Sequence, residues 1–179
     1  MRRYIKGMGI AERYPVRYSV EDYEKWEGDW ELVEGIPYAL ASPSPRHQAV
    51  GARLVRELSL ELEKKCPECF VLYETDWYVS NDTVVRPDIA VVCGKLEEKL
   101  RRTPLLIVEI VSPGSERQHE GLKFELYQRE GVRNYLLIYP EERTYKYYVL
   151  TERGYMRKEG TSIDIGNCTV TLDIDKIWI

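Results

Sequence analysis

The sequence predicts one domain of the α/β class, and three features support this prediction. Short apolar runs rich in β-branched residues, typical of buried strands, alternate with segments of helical periodicity. The chain has 179 residues, of which 44% are hydrophobic, enough for one well-buried core and short for two. No linker, repeat or low-complexity segment divides it. We expect one domain over residues 1–179, with an N-terminal extension over 1–17 and a β-rich C-terminal part over 141–179.

The composition excludes several classes of protein. The formal net charge is -4, so overall charge does not by itself indicate a nucleic-acid partner. No run approaches the ~18–20 apolar residues of a membrane span, and no apolar segment of a signal peptide follows the basic N-terminus. The cysteines form no disulfide-framework pattern, so we expect four free thiols, a cytoplasmic location and no membrane partner.

The first predicted elements are a short helix and a hairpin. Ser19 can cap a helix whose first turn carries acids and which ends near Gly28. Residues 30–40 indicate two strands around a turn at Gly35. Glu34, beside that turn, is a candidate site residue, and the alternative is a solvent-facing acid.

A long amphipathic helix follows the segment Ser-Pro-Ser-Pro-Arg-His that ends at His47. Apolar residues recur at steps of three and four as far as Leu62, and Pro67 should end the helix. His47 falls in its first turn, where the dipole disfavours imidazolium and backbone N–H groups could hold an anion. We therefore consider His47 a candidate for handling phosphate or water, the alternative being a surface or capping residue.

The remaining elements alternate in type. Strands are predicted over 70–73, 76–80, 84–92 and 104–112, with a charged loop or short helix over 94–103. A helix over 118–129 ends at Gly131, and a buried strand over 134–140 follows it. Residues 145–150 and 154–158 then form a tyrosine-rich hairpin, and short strands finish the chain.

Two carboxylates in buried strands are the main functional clue. Asp88 lies in Arg-Pro-Asp-Ile-Ala-Val-Val, and Glu109 lies in Leu-Leu-Ile-Val-Glu-Ile-Val. An ionised carboxylate in such a strand is costly unless it is paired or binds a metal. Together with Lys123 in the following helix, these acids suggest a divalent-metal site.

Magnesium suits such a site, because it takes oxygen ligands and needs only one or two carboxylates. Asp88 and Glu109 would bind Mg²⁺ (or Mn²⁺), with the carbonyl of Ile110 as a further ligand. Lys123 could orient the attacking water or stabilise developing negative charge, which suits phosphodiester hydrolysis. Taken singly, Asp88 could instead be an ordinary strand-end acid, and Lys123 a solvated helix lysine.

The order of these motifs resembles a known family. A Glu-Gly hairpin, Ser-Pro-Ser-Pro-x-His, Arg-Pro-Asp, Val-Glu-Ile-Val-Ser-Pro, a helix with Lys and Tyr, and Gly-Val-x-x-Tyr follow one another between about Tyr18 and Tyr139. This order is similar to that of the restriction-endonuclease-like domain family of the PD-(D/E)XK nuclease superfamily.

The resemblance implies a restriction-endonuclease-like core, with a central mixed β-sheet flanked by helices (α/β, or α+β), and a metal-dependent endonuclease. Asp88 and Glu109 match the motif acids. The usual lysine two residues past the Glu is replaced by Val111, and Lys123 is the match on the next helix. Members of the family usually carry an aspartate where this chain has His119; Glu120 is close enough to substitute.

Nucleic acid, with DNA first, is therefore the expected partner, and analogy with the superfamily suggests a homodimer. Six basic residues could contact phosphate: Arg46, Arg53, Arg56, Arg86, Arg117 and Lys123. The alternative is a non-catalytic module that keeps the nuclease fold to bind nucleic acid or protein. A third possibility is a zinc scaffold using Cys66 and Cys69, although no second pair of ligands follows them.

Overall fold

The computed structural model describes residues 15–113 and 118–179, so residues 1–14 of the predicted extension lie outside it. The strands are β1 (Trp30–Val33), β2 (Ile36–Ala39), β3 (Cys69–Tyr73), β4 (Trp77–Ser80), β5 (Thr83–Val85), β6 (Ile89–Cys93), β7 (Leu106–Ile110), β8 (Asn134–Tyr139), β9 (Thr144–Thr151), β10 (Gly154–Lys158), β11 (Ser162–Asp164) and β12 (Thr169–Thr171). The helices are α1 (Val20–Tyr23), α2 (Pro45–Lys65) and α3 (Phe124–Arg129). A π-helical turn (Gln118–Lys123) precedes α3, and a 3-10 turn (Ile174–Ile177) lies near the C-terminus.

A six-stranded mixed sheet forms the centre of the fold, in the order β10-β9-β8-β7-β6-β3. Strands β7 and β8 run parallel and are joined through the π-helical turn and α3, while the other neighbours are antiparallel. A smaller sheet has the order β2-β1-β5-β4, and β11 pairs with β12. The predicted class, α/β with a central mixed sheet flanked by helices, is confirmed.

Side chains of the central strands alternate between two apolar cores, as a pleated sheet requires. On one face, Val108 and its neighbours in β6 and β8 pack against the buried stripe of α2. On the other face, Ile107 packs with Tyr127 and Leu126 of α3 and with Tyr135. Since Glu109 is two residues from Ile107, it points to the α3 face.

Helix α2 forms as the sequence predicted. Ser44 caps it by accepting a hydrogen bond from the backbone N–H of His47 at 3.2 Å, and Pro45 occupies the first helical position. Its stripe of Val50, Leu54, Leu58 and Leu62 is buried, and fully burying each such side chain contributes about 1.5–3 kcal/mol. Within the described residues, no helix is long and apolar enough to cross a bilayer.

The hairpin between β1 and β2 explains the position of Glu34. Val33 pairs with Ile36, so the loop has two residues, and a two-residue type I′ turn needs positive φ at both. Glu34 and Gly35 supply φ values of 50° and 78°. Glu34 is therefore a turn residue and is exposed.

The cysteines correct the expectation of four free thiols. Cys66, at the end of α2, is bonded to Cys168, before β12, and their Cα atoms are 6.0 Å apart. Cys69 and Cys93 are bonded across the β3–β6 pair, where their Cα atoms are 3.8 Å apart. The half zinc motif thus has both its sulfurs in disulfides, which removes the thiolates that a zinc scaffold would need.

The tyrosine-rich hairpin of β9 and β10 packs onto the sheet. Tyr147 is buried. Tyr148 and Tyr155 surround Phe124 of α3, with ring centroids 5.0 Å from it in each case. These contacts are ordinary aromatic packing.

Candidate active site

Asp88 and Glu109 meet on neighbouring strands. Asp88 directly precedes β6, and Ile89 pairs with Val108 of the antiparallel strand β7. The Asp88 Oδ2 atom accepts a hydrogen bond of 2.6 Å from the backbone N–H of Ile110. The side chain of Glu109 is fully buried, whereas that of Asp88 is 16% exposed. The predicted convergence of the two acids is thus present in the fold.

Lys123, in the π-helical turn, contacts two buried acids, Glu109 and Glu31. Its Nζ atom lies 3.0 Å from Glu109 Oε1 and 2.8 Å from Glu31 Oε1. It also donates a hydrogen bond of 3.4 Å to the carbonyl of Arg86. Glu31, on β1, belongs to the smaller sheet, so this ammonium connects the two sheets.

The charges of Lys123 and Glu109 stabilise each other in the protein interior. Burial alone would lower the pKa of Lys123, but Glu109 and Glu31 raise it above the usual range for lysine. Burial alone would raise the pKa of Glu109, but Lys123, His119 and Tyr127 lower it to about 2. Both groups are therefore ionised at neutral pH.

Tyr127 fixes one oxygen of Glu109. Its hydroxyl donates a hydrogen bond of 2.6 Å to Glu109 Oε1, the same atom that binds Lys123. The other oxygen, Oε2, is buried and has no hydrogen-bond partner among the described residues. The nearby His119 Nδ1 atom, 3.3 Å away, is close enough for electrostatic attraction but is not aligned as a hydrogen bond.

His47 contacts Asp88. Its Nε2 atom is 3.2 Å from Asp88 Oδ2, and the residue is 7% exposed. Burial by itself lowers the pKa of His47, but the hydrogen bond and charge of Asp88, with Glu74 and Glu109, raise it above the ordinary value. The helix dipole alone was expected to disfavour imidazolium at this position. The pKa of His47 is raised nevertheless, because the carboxylate of Asp88 in contact with it outweighs the dipole of the first turn.

Two sequence-based expectations do not match the structure. Glu34 is exposed in its turn and pairs with Arg129 of α3, so it lies outside the cluster. Glu120 does not replace the missing family acid, because Tyr139 and Lys146 bind its two oxygens at 2.6 Å and 2.9 Å.

Sequence reasoning missed Glu31 and Tyr127 as parts of the cluster. Glu31 stands between Trp30 and Leu32 in an apolar strand, which is the same signal that identified Glu109. The spacing of Tyr127, one turn after Lys123, was visible, but only the fold shows that both side chains reach Glu109.

Asp88, Glu109 and Lys123 line a cleft of about 820 Å³. Five acids and four basic or imidazole side chains lie on its wall: Asp29, Glu74, Asp88, Glu109 and Glu141, with His47, Arg86, His119 and Lys123. The segment that precedes α2 contributes Ser42, Pro43 and Ser44. Among the charged side chains of this lining, acids outnumber bases.

The donor set of the cleft fits magnesium and does not fit a closed zinc site. In the described parts of the chain, no group of three or more His, Cys, Asp or Glu side chains is arranged for a metal ion. Magnesium needs only one or two carboxylates, because waters fill the rest of its coordination shell. Glu109 Oε2, without a hydrogen-bond partner in those parts, and the nearby Asp88 carboxylate meet that requirement.

Comparison with solved structures supports the class of protein that fold and site define. The chain resembles the crystal structure of "a putative nuclease belonging to DUF820" from Anabaena variabilis with a TM-score of 0.72 and 16% sequence identity, over 90% of this chain and 97% of that one. At this identity the likeness shows that the two chains share a fold.

Residues 20–165 match the family Uma2, described as "Putative restriction endonuclease", and the chain belongs to this family. The uncharacterized protein slr1290 of Synechocystis is 28% identical over 130 residues, covering 68% of each chain. The family resemblance found in the sequence is confirmed.

Proposed function

We propose that the protein is a magnesium-dependent nuclease that hydrolyses phosphodiester bonds in DNA. The observation that carries this proposal is the convergence of Asp88, Glu109 and Lys123 on one wall of an open cleft. Had these three side chains pointed to different parts of the molecule, no common chemistry would be available to them. Membership of a nuclease family supports the proposal.

Each residue has a distinct role in this proposal. Asp88 and Glu109 Oε2 would hold Mg²⁺ (or Mn²⁺), with the carbonyl of Ile110 as a third oxygen ligand. When bound, the metal would lower the pKa of a water molecule and neutralise charge on the phosphate. Lys123 supplies a fixed positive charge near the reacting phosphate, which stabilises the charge that develops there. His47, whose Nε2 atom lies 3.2 Å from Asp88 Oδ2, orients that carboxylate and borders the space for water.

A second candidate function, binding without cleavage, is favoured by the state of the basic residues. Arg46 and Arg56 pair with Glu141 and Glu57, and Arg53 bonds the carbonyl of Trp178. Arg86 pairs with two acids, and Arg117 lies outside the described residues. Each of these four arginines therefore already has a partner within the chain. A module that recruits a partner through the cleft would not need unpaired arginines.

A cleavage assay separates the two candidates. We expect the wild type to cleave plasmid or single-stranded DNA with Mg²⁺ or Mn²⁺, and chelation to stop cleavage. Asp88→Asn and Glu109→Gln should each lower the rate by roughly 100-fold or more, because they remove charge at the reacting centre. The control is Glu24→Gln, which breaks an exposed acid–lysine pair with Lys99 and should leave the rate unchanged.

Calorimetric titration of the same proteins with Mg²⁺ gives an independent readout. Binding should be present in the wild type and weakened in both cleft variants. Metal binding with no cleavage of any DNA or RNA substrate would contradict the nuclease proposal and favour the binding module. Cleavage that persists in Glu109→Gln would contradict the assignment of the site.

A further inference from the structure

Glu31 is a buried acid that lies outside the motifs which identify the site. It is fully buried on β1, between Trp30 and the buried Leu32. A carboxylate in such a place is costly unless its charge is compensated. The molecule compensates it with Lys123, 2.8 Å away.

The backbone of Arg86 clamps this pair. Its N–H donates a hydrogen bond of 2.8 Å to Glu31 Oε1, and its carbonyl accepts one of 3.4 Å from Lys123 Nζ. The guanidinium of Arg86 is itself held by Asp76 and Asp29, at 2.7 Å and 2.6 Å. Glu31 is thus fixed from two sides, and Lys123 is fixed by Glu31 and by the same peptide.

Glu31 lies behind the wall of the cleft, whereas Lys123, Glu109 and Arg86 are on it. A substrate in the cleft would therefore meet Lys123 but not Glu31. An effect of Glu31 on the reaction would therefore pass through the groups that it binds, and of these Lys123 carries the charge at the proposed reacting centre. In the proposed function, Glu109 also binds the metal through its other oxygen. Of the two acids that contact Lys123, Glu31 is therefore the one that lies away from the metal.

We propose that Glu31 is the positioning residue of the site, and that it holds the Lys123 ammonium in place against the phosphate. The inference rests on the proposed nuclease function and adds to it a residue from the smaller sheet. It follows that removing the charge of Glu31 should slow the reaction step and leave substrate binding nearly unchanged.

The test is Glu31→Gln, which keeps the size of the side chain and an acceptor for the Arg86 N–H. We expect kcat to fall by roughly 10- to 100-fold, the range that loss of an outer-shell partner causes at metal sites, with KM unchanged. Glu24→Gln serves again as the control. In a Lys123→Gln background, adding Glu31→Gln should cause no further fall in kcat, because its target has been removed.

A spectroscopic readout does not depend on cleavage. In protein labelled with ¹⁵N-lysine, a buried and hydrogen-bonded ammonium exchanges its protons slowly, and the Lys123 signal is identified by its loss in Lys123→Gln. We expect this signal in the wild type and its broadening or loss in Glu31→Gln. Should Glu31→Gln not fold, Glu31→Asp keeps the charge but withdraws it by one methylene, and it should also lower kcat.

The outcomes separate this inference from the proposed function. A wild type that cleaves, with a Glu31→Gln variant of unchanged kcat, overturns the role of Glu31 alone. If the fold-losses of kcat in Glu31→Gln and Lys123→Gln multiply in the double variant, Glu31 acts independently of Lys123. This outcome would also overturn the positioning role. A wild type that cleaves no nucleic acid overturns the proposed function, and the positioning role falls with it.

Discussion

Asp88 favours the protonated form of His47 against the effect of burial. The imidazole is buried at the start of α2 and contacts Asp88 Oδ2 at 3.2 Å. The pKa of His47 is raised because the hydrogen bond and charge of Asp88, with Glu74 and Glu109, overcome the effect of burial. A group whose pKa is raised on folding stabilises the fold below its unfolded pKa, and this contribution is lost as the pH rises through the folded value.

We therefore expect the pKa of His47 to lie above the ~6.5 of an unperturbed histidine, and Asp88→Asn to lower it. The contribution of this pair to stability should be complete below about pH 6.5 and disappear as the pH rises past the folded pKa. The chain has two histidines, so NMR titration of the imidazole C–H signals, assigned with His47→Gln, measures it directly. A His47 pKa that Asp88→Asn leaves unchanged would contradict the role of the Asp88 contact.

Single residues of the site were predictable where a charged residue stands within an apolar strand. Glu109 stood out because it lies among aliphatic residues of a fully buried strand. Glu31 is likewise flanked by apolar residues in β1, whereas Glu34 was predicted from its position beside the glycine turn. The turn requires positive φ at Glu34, and this geometry, which turns the carboxylate to solvent, follows from loop length rather than from residue type.

At the scale of the element, the helices show what periodicity can predict. Helix α2 has the predicted apolar stripe and cap, because both depend on local spacing. The segment before α3 was predicted as helix, but its π-helical turn was not. The wider turn lets His119 and Lys123 both reach Glu109, on Oε2 and Oε1 respectively. Such turns arise where tertiary contacts override the α-helical bond pattern, and they are frequent at functional sites.

Two helical glycines provide opposite expectations for stability. A Cβ atom at Gly51 of α2 would lie 2.7 Å from the hydroxyl of Tyr73, whereas one at Gly121 of the π-helical turn would meet nothing within 4 Å. Gly51→Ala should therefore destabilise the fold by about 1–3 kcal/mol. Gly121→Ala should stabilise it by roughly 0.5–1 kcal/mol, because alanine loses less backbone entropy.

Urea unfolding of the two glycine variants measures both effects. Each serves as the control for the other, since the chemical change is identical. A destabilised Gly121→Ala would show that the π-helical turn needs the backbone freedom of glycine. A neutral Gly51→Ala would show that Tyr73 moves aside without loss of its hydrogen bond to Gln48.

At the scale of the whole molecule, the order of elements was predictable and the long-range links were not. The motif order between about Tyr18 and Tyr139 led to the correct family and fold class, and the family match extends over 20–165. The disulfides escaped prediction because Cys66 and Cys69 are close in sequence but bond to partners 102 and 24 residues away. Those partners become neighbours only when β3 pairs with β6 and the C-terminal strands fold against α2.

The disulfides should differ in their contributions to stability. In the chain-entropy account, closing a loop of about 100 residues contributes about 4.7 kcal/mol, and closing one of about 25 contributes roughly 3.5 kcal/mol. We expect the double substitution Cys66→Ala with Cys168→Ala to lower the free energy of unfolding more than Cys69→Ala with Cys93→Ala, by roughly 1 kcal/mol.

Denaturant unfolding under non-reducing conditions measures this difference, and the wild type treated with a reductant serves as the reference for both. Thiol titration of the unfolded, unreduced wild type should find no free cysteine. Four reactive thiols would contradict the two bonds, and an equal loss in the two variants would contradict the dependence on loop length.

The assembly of the cleft from distant parts of the chain has a consequence for biosynthesis. Glu31, Asp88, Glu109 and Lys123 come from β1, the start of β6, β7 and the π-helical turn. A ribosome must therefore release the chain beyond Lys123 before the lysine can dock between its two acids. Until that point the nascent polypeptide holds Glu31 and Glu109 without their counter-charge, and the proposed reactive centre is incomplete.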